Sequence, residues 1–232
     1  MAEGGKVKNT EHKPSAQQKA RAEYVRPEMR VKEDKHATDA GLTPAQRKAV
    51  LTTESKIRNR KTETIRIIDD NGNVINPTVS GTRSRARARA SLIPQNGVFT
   101  HNHPRTEDEP VYIGGRRIGV HGGGSGIGAR IGASLSGPDL KSAIKTNAKE
   151  IRAVTPTYTF SIRRPAAGWG NINADDVHRD WYREFDNYVN SHKEYAKESR
   201  QNLGRINAMA SHVATRAIAK KYGMTYTRRK AQ

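Results

Sequence analysis

The sequence predicts an α+β fold, a β-sheet sandwiched by helices, and three observations predict it. β-forming runs pair across short turns at 63–69 with 74–75, and at 150–154 with 158–162. Helix-start signatures stand at Thr43 and Ser136. From Asp175 onward apolar residues recur at spacings of three and four, as one buried helix face requires. Strand pairs with helices on both sides bury their apolar faces by stacking into layers.

Composition limits how much of the chain joins that core. Only 34% of the 232 residues are hydrophobic, and the mean hydropathy is -0.87. Tails are therefore expected around one sizeable domain. Residues 1–40 are polar, mixed in charge and without apolar period, which predicts a flexible, disordered N-terminal arm. The main domain is expected over 41–168, and a basic helical C-terminal extension over 174–232. With no cysteine there is no disulfide framework and no thiolate metal site, so a metal would be held by histidine and carboxylate. No apolar run approaches the ~20 residues of a membrane span, and the first ten residues lack a signal-peptide centre. The expected location is cytoplasmic, with packaging in a virion or specialised export as alternatives.

Taken in order, Thr43 is an N-cap, Pro44 suits the first turn and Gln46 completes a capping box. Glu54 lies on this helix among Lys and Arg, as a solvated residue or a rival catalytic glutamate. Asp70-Asn71-Gly72-Asn73 forms the tight turn of the first hairpin. Ser136 caps a helix with Pro138 inside it and Leu140, Ala143 and Ile144 on one side. Trp181, Phe185, Tyr188, His192 and Tyr195 form one stripe, and Leu203, Ile206, Met209, Val213 and Ala217 another. Gly204 is read as a break between two helices and Gly223 as the final stop. His178, His192 and His212 read as packing or surface residues.

The formal charge of +19 predicts attraction to nucleic acid or another polyanion through sequence-independent phosphate contacts. Arg83, Arg85, Arg87 and Arg89 alternate with small residues, so in a strand all four share one face. Such a stripe either shields a sheet edge or tracks phosphates. Lys220, Lys221, Arg228 and Arg229 lie in a tail with no acidic residue after Glu198, and read as polyanion contacts.

Val98 and Phe99, bounded by Gly97 and Pro104, predict a strand carrying His101 and His103 at i, i+2. Side chains at that spacing share a face and can converge on one metal. Alone, the pair is weak evidence. Upstream, Glu63 opens an apolar run; downstream, Ser136 and Asp139 stand at i, i+3.

Together, Glu63, His101-x-His103-Pro104 and Ser136-x-x-Asp139 resemble the JAMM (MPN+) zinc hydrolases, nearest to the RadC-like and phage head-morphogenesis branch, over roughly residues 60–165. The resemblance implies a curved sheet between helices, with His101, His103 and Asp139 ligating one Zn²⁺. It further implies Glu63 as general base and acid, Ser136 as hydrogen-bond donor to the oxyanion, and hydrolysis of a peptide or isopeptide amide in a protein or peptide substrate. A phage or mobile-element setting follows from the same branch. The chain departs from the pattern in the long stretch, 104–138, between His103 and Asp139. Its Gly-rich insertion, 105–133, predicts a long loop able to act as a lid, with a small hairpin at 111–120. His121 within it is a rival third ligand. Two other classes compete: a basic nucleic-acid-contacting structural protein with a vestigial metal site, and a metal-dependent nuclease or toxin, because His101-Asn102-His103 superficially resembles HNH nucleases. The oligomeric state is left open.

Overall fold

Local signals close the first elements before any long-range packing is needed. The structure, a computed structural model, describes residues 41–81, 86–88, 92–104, 109–113, 116–121, 133–194 and 200–231. Helix α1 (Pro44–Ile57) begins with a closed capping box. The Thr43 hydroxyl accepts from the Gln46 N–H, and the Gln46 side chain accepts from the Thr43 N–H. Strands β1 (Ile65–Ile68) and β2 (Val74–Ile75) pair antiparallel, Ile67 with Ile75 and Ile68 with Val74. In their turn the Asp69 carboxylate accepts from the backbone N–H groups of Asn71 and Asn73. Gly72 sits there at φ +83°, where a Cβ would stand 2.9 Å from the Ala45 backbone, so only glycine fits.

Strands β3 (Thr78–Gly81) and β4 (Ala86–Ala88) form a separate ribbon. Arg87 lies on β4, while Arg83, Arg85 and Arg89 lie outside the described residues, as do the arm at 1–40 and the glycines at 122–128. After β5 (Val98–Asn102), the hairpin expected inside the insertion is present as β6 (Glu109–Ile113) and β7 (Arg116–His121). Helix α2 (Gly137–Lys145), strands β8 (Glu150–Val154) and β9 (Tyr158–Arg163), helices α3 (Ala174–Ser191) and α4 (Arg200–Lys221), and strand β10 (Thr225–Lys230) complete the chain.

Six strands form one sheet in the order β10-β9-β8-β5-β1-β2. The β5–β8 pair is parallel and every other neighbouring pair is antiparallel. Period-two alternation sends Ile67, Phe99, Ile151 and Ile162 to one face, where they join Leu140 of α2, Val177 and Trp181 of α3, and Ala210, Ala214 and Ile218 of α4. On the other face Ile68 and Val98 pack with Val50 of α1. The architecture is thus helix, sheet, helices, in agreement with the predicted α+β sandwich.

Three features depart from the sequence reading. Helix α4 runs through Gly204, and the interruption falls instead after the α3 cap at His192. Gly223, at φ +68°, does stop α4. Residues 174–231 are no appendage: α3 and α4 share the main core, and β10 pairs along β9 from Thr225–Arg163 to Lys230–Tyr158. Nor is Glu54 solvated. It is 1% exposed and bound to Arg152, itself 0% exposed, which also holds Glu150. Thr100 and Arg152 are register partners on the α1 face of the sheet, and the Thr100 hydroxyl donates to Glu54 at 3.4 Å. Glu54 is therefore on the opposite face from His101, which removes it as a rival catalytic glutamate.

Candidate metal centre

The centre forms where the carboxyl end of β5 meets the amino end of α2. Phe99 and His101 share a face, and His101 points into the α2 side of the sheet with 3% exposure. His103 follows just beyond the strand, its backbone N–H donating to the Val154 carbonyl at 2.9 Å. Ser136 caps α2 and Asp139 occupies its third position, so the capping box places the carboxylate. The Ser136 backbone N–H and hydroxyl both donate to Asp139 Oδ2, each at 2.7 Å.

These elements bring together His101, His103 and Asp139, with ligand atoms all within 4.8 Å of one another. His101 Nε2 lies 2.9 Å from His103 Nε2 and 3.4 Å from Asp139 Oδ1, and His103 Nε2 lies 4.0 Å from Asp139 Oδ2. Bonds of the length zinc makes to nitrogen and oxygen would separate tetrahedral ligands by about 3.3 Å, so the triangle is close to the right size.

Proton placement sharpens this fit. His103 Nδ1 meets the Ala133 carbonyl at 3.0 Å, an oxygen that can only accept, so Nδ1 carries the hydrogen and Nε2 the lone pair. The His101 ring also hydrogen-bonds the Arg152 backbone, which favours its charged form. The two Nε2 atoms and the carboxylate thus face one another and could hold a metal ion. Burial opposes charge on His101, but Asp139 and then Glu63 outweigh it and raise its pKa. Burial likewise opposes ionisation of Asp139, and the two histidines with Ser136 override it, holding the carboxyl well below its usual range.

Protons and metal thus compete for one site. Metal affinity should fall by about tenfold per pH unit for each imidazole that must deprotonate, once pH drops below the raised His101 pKa. Titration calorimetry with Zn²⁺ across that range, reading proton release in buffers of different ionisation enthalpy, checks this; a flat pH dependence would refute it. The Ser136 hydroxyl has one hydrogen and gives it to Asp139, so in this structure Ser136 positions the ligand. Ser136→Ala should cost about 1 kcal/mol of stability through the lost cap. It should also weaken metal binding by about 10- to 100-fold, as loss of a ligand's hydrogen-bond partner does. Thermal denaturation and a competitive chelator titration measure the two effects separately.

Glu63 lies two residues ahead of β1, rather than on it, and is partly buried beside the cluster, close enough to raise the His101 pKa. Its approach follows from register, because Ile65 pairs with His101 and the preceding residues run back past His103. His121 ends β7 opposite Glu109, and the group gathered among the described residues takes Asp139 as its carboxylate. His212 is buried, its Nδ1 at 2.7 Å from the Tyr226 hydroxyl, and burial followed by Arg228 and Arg216 pushes its pKa down to about 3. It is a packing residue, as expected.

The expected polyanion contacts fare unevenly. Lys220 is exposed, but Lys221 pairs with Asp180. Arg228 is buried and lies over the Tyr158 ring at 4.7 Å, and Arg229 is partly buried on β10. The sequence reading missed Ala133 and the Arg152 backbone as supports of the histidines, because carbonyl partners leave no residue-type signal. Among the described residues, no helix is long and apolar enough to cross a membrane.

Comparison with known proteins adds little. No family model matches the chain, and no solved structure matches it. A stretch of 62 residues is 37% identical to pterin-4-alpha-carbinolamine dehydratase 2, mitochondrial, of Arabidopsis thaliana, covering 25% of this chain and 33% of that relative. The chain therefore spans about a third of that relative's length, a local likeness that shows no family.

Proposed function

We propose that the chain is a zinc-dependent hydrolase of the JAMM type, cleaving a peptide or isopeptide amide in a protein or peptide substrate. One observation carries this reading: two imidazole Nε2 atoms and a carboxylate converge within 4.8 Å, with Glu63 beside them and Ser136 holding the carboxylate. Two nitrogens and one carboxylate oxygen suit Zn²⁺ with a position left open, the donor set of catalytic rather than structural sites. Zn²⁺ held there would lower the pKa of a water to about 7 and make hydroxide available at neutral pH.

The chain's own groups supply the rest. Glu63 accepts the proton released when water adds to the carbonyl carbon and returns it to the amine nitrogen as the C–N bond breaks. Backbone hydrogen bonds orient the two rings, His103 on Ala133 and His101 on Arg152. Ser136 keeps Asp139 in place, and its hydroxyl can turn to an oxyanion only by leaving Oδ2. The setting in phage or mobile-element assembly belongs to the same proposal and rests on the resemblance of the motif.

The test is metal content and amide hydrolysis together. Purified protein should carry near one zinc per chain by mass spectrometry and cleave a peptide library, with activity lost to a chelator and restored by Zn²⁺. No zinc after reconstitution would end the hydrolase reading. The charge of +19 favours a second reading, a nucleic-acid-contacting structural protein, which predicts salt-sensitive binding without hydrolysis.

A further inference from the structure

A second surface, on the other side of the sheet, has a composition the metal centre does not explain. A cleft of about 550 Å³ runs between α1 and the β1–β2 hairpin. It is lined by Lys48, Lys56, Arg60 and Arg66, with Thr52 and Asn71 among its polar groups and no acidic residue. Lys48, Lys56 and Arg60 are exposed, and none of the four cations makes an ion pair among the described residues. The spacing is regular: residues 48, 52, 56 and 60 fall at successive i, i+4 positions, one stripe along α1 and just past its end. At 1.5 Å per residue Lys48 and Lys56 stand about 12 Å apart along the helix axis. Arg66 reaches the same cleft from β1, where its guanidinium donates to the Ile65 carbonyl at 2.7 Å and to Asn76 Oδ1 at 2.6 Å. Burial, and then the nearby Arg60, depress its pKa.

We infer that this cleft binds a nucleic-acid phosphodiester backbone, with Lys48, Lys56, Arg60 and Arg66 as its phosphate contacts. A row of separated cations tracks a line of phosphates, and hydroxyl and amide donors from Thr52 and Asn71 suit the same oxygens. The chain's +19 charge supplies long-range attraction for a densely charged polymer more than for a short acidic peptide. The cleft holds no aromatic side chain on which bases could stack, so binding should be indifferent to sequence.

The test uses the full chain and fluorescence anisotropy with labelled oligonucleotides: single-stranded DNA, duplex DNA and RNA of one length. The triple variant Lys48→Gln, Lys56→Gln, Arg60→Gln removes three charges from exposed positions. It should weaken binding by about tenfold or more and lower the slope of log K against log salt by about 2 to 3. A control carrying Lys145→Gln, Arg179→Gln and Lys193→Gln removes as many exposed charges elsewhere and should keep most of the affinity. Unchanged circular dichroism and zinc content in both variants would show an intact fold. Equal losses in the two variants, or no oligonucleotide binding at low salt, would overturn the assignment. So would tighter capture of a poly-glutamate peptide than of any oligonucleotide, since that would make the partner an acidic protein segment.

Discussion

His101→Ala and Asp139→Ala should each empty the metal centre, while Glu63→Gln should leave it filled and inactive. Losing one of three donors removes the closed triangle in which ligand atoms face one another at 2.9 to 4.0 Å, and zinc per chain should drop from near one to near zero. Glu63 lies near enough to influence His101 but outside the three-residue group. Its amide variant should keep the metal and lose about 10²- to 10⁴-fold in rate, the usual worth of a positioned acid–base group. Mass spectrometry and a peptidase assay on the same preparations separate the two effects. Zinc retained in Asp139→Ala would move the third ligand elsewhere, with His121 the first position to try. Full activity in Glu63→Gln would end its role as base.

The second large effect concerns stability. Arg152 is fully buried between Glu54 at 2.5 Å and Glu150 at 2.7 Å, and burial alone would drive its charge off. The two carboxylates instead hold the guanidinium charged, its pKa raised. Arg152→Ala leaves both carboxylates buried without their cation and should cost about 3 to 5 kcal/mol, lowering Tm by about 6 to 20 °C for a chain of this size. Replacing all three together by apolar residues of similar volume should be far milder, because no charge is then stranded. A single Arg152→Ala variant within about 1 kcal/mol of the parent would refute this account.

The network also sets a pH sign. Burial raises the Glu150 pKa above its ordinary 4.5, against the pull of Arg152. The folded state therefore holds that proton more tightly than the unfolded one. The Glu150 contribution favours folding at low pH and is lost as pH rises from 4.5 through the raised folded value. Relative to Glu150→Gln, the parent should lose stability over that window, as paired urea titrations would show.

Much of this molecule was legible because its signals are local. Thr43 with Gln46, Ser136 with Asp139, and Asp69 to Asn73 each satisfy backbone groups within a few residues, so type and spacing sufficed. The two histidines at i, i+2 needed only extended chain: His101 lies on β5, and His103 just beyond it keeps a backbone hydrogen bond to Val154. The centre itself was legible as a motif, although 104–138 separates its parts.

What stayed hidden was charge used inside. Arg152, Glu54 and Glu150 look like surface residues until their partners, far apart in sequence, are known. The run Thr225 to Lys230 looks like a basic tail, because Arg228 takes a core-facing position by lying over Tyr158 where an apolar residue would announce a strand. Gly204 reads as a break by propensity, yet the packed face of α4 outweighs one glycine.

The support of His103 carries a consequence in time. Its partner Ala133 adjoins Ser134, whose N–H donates to the Ser211 hydroxyl at 2.9 Å and whose own hydroxyl meets that of Tyr226 at 2.7 Å. During synthesis both histidines therefore leave the ribosome long before the strand bearing Tyr226 has been made. The segment that orients His103 gains its Tyr226 anchor once that strand has been made.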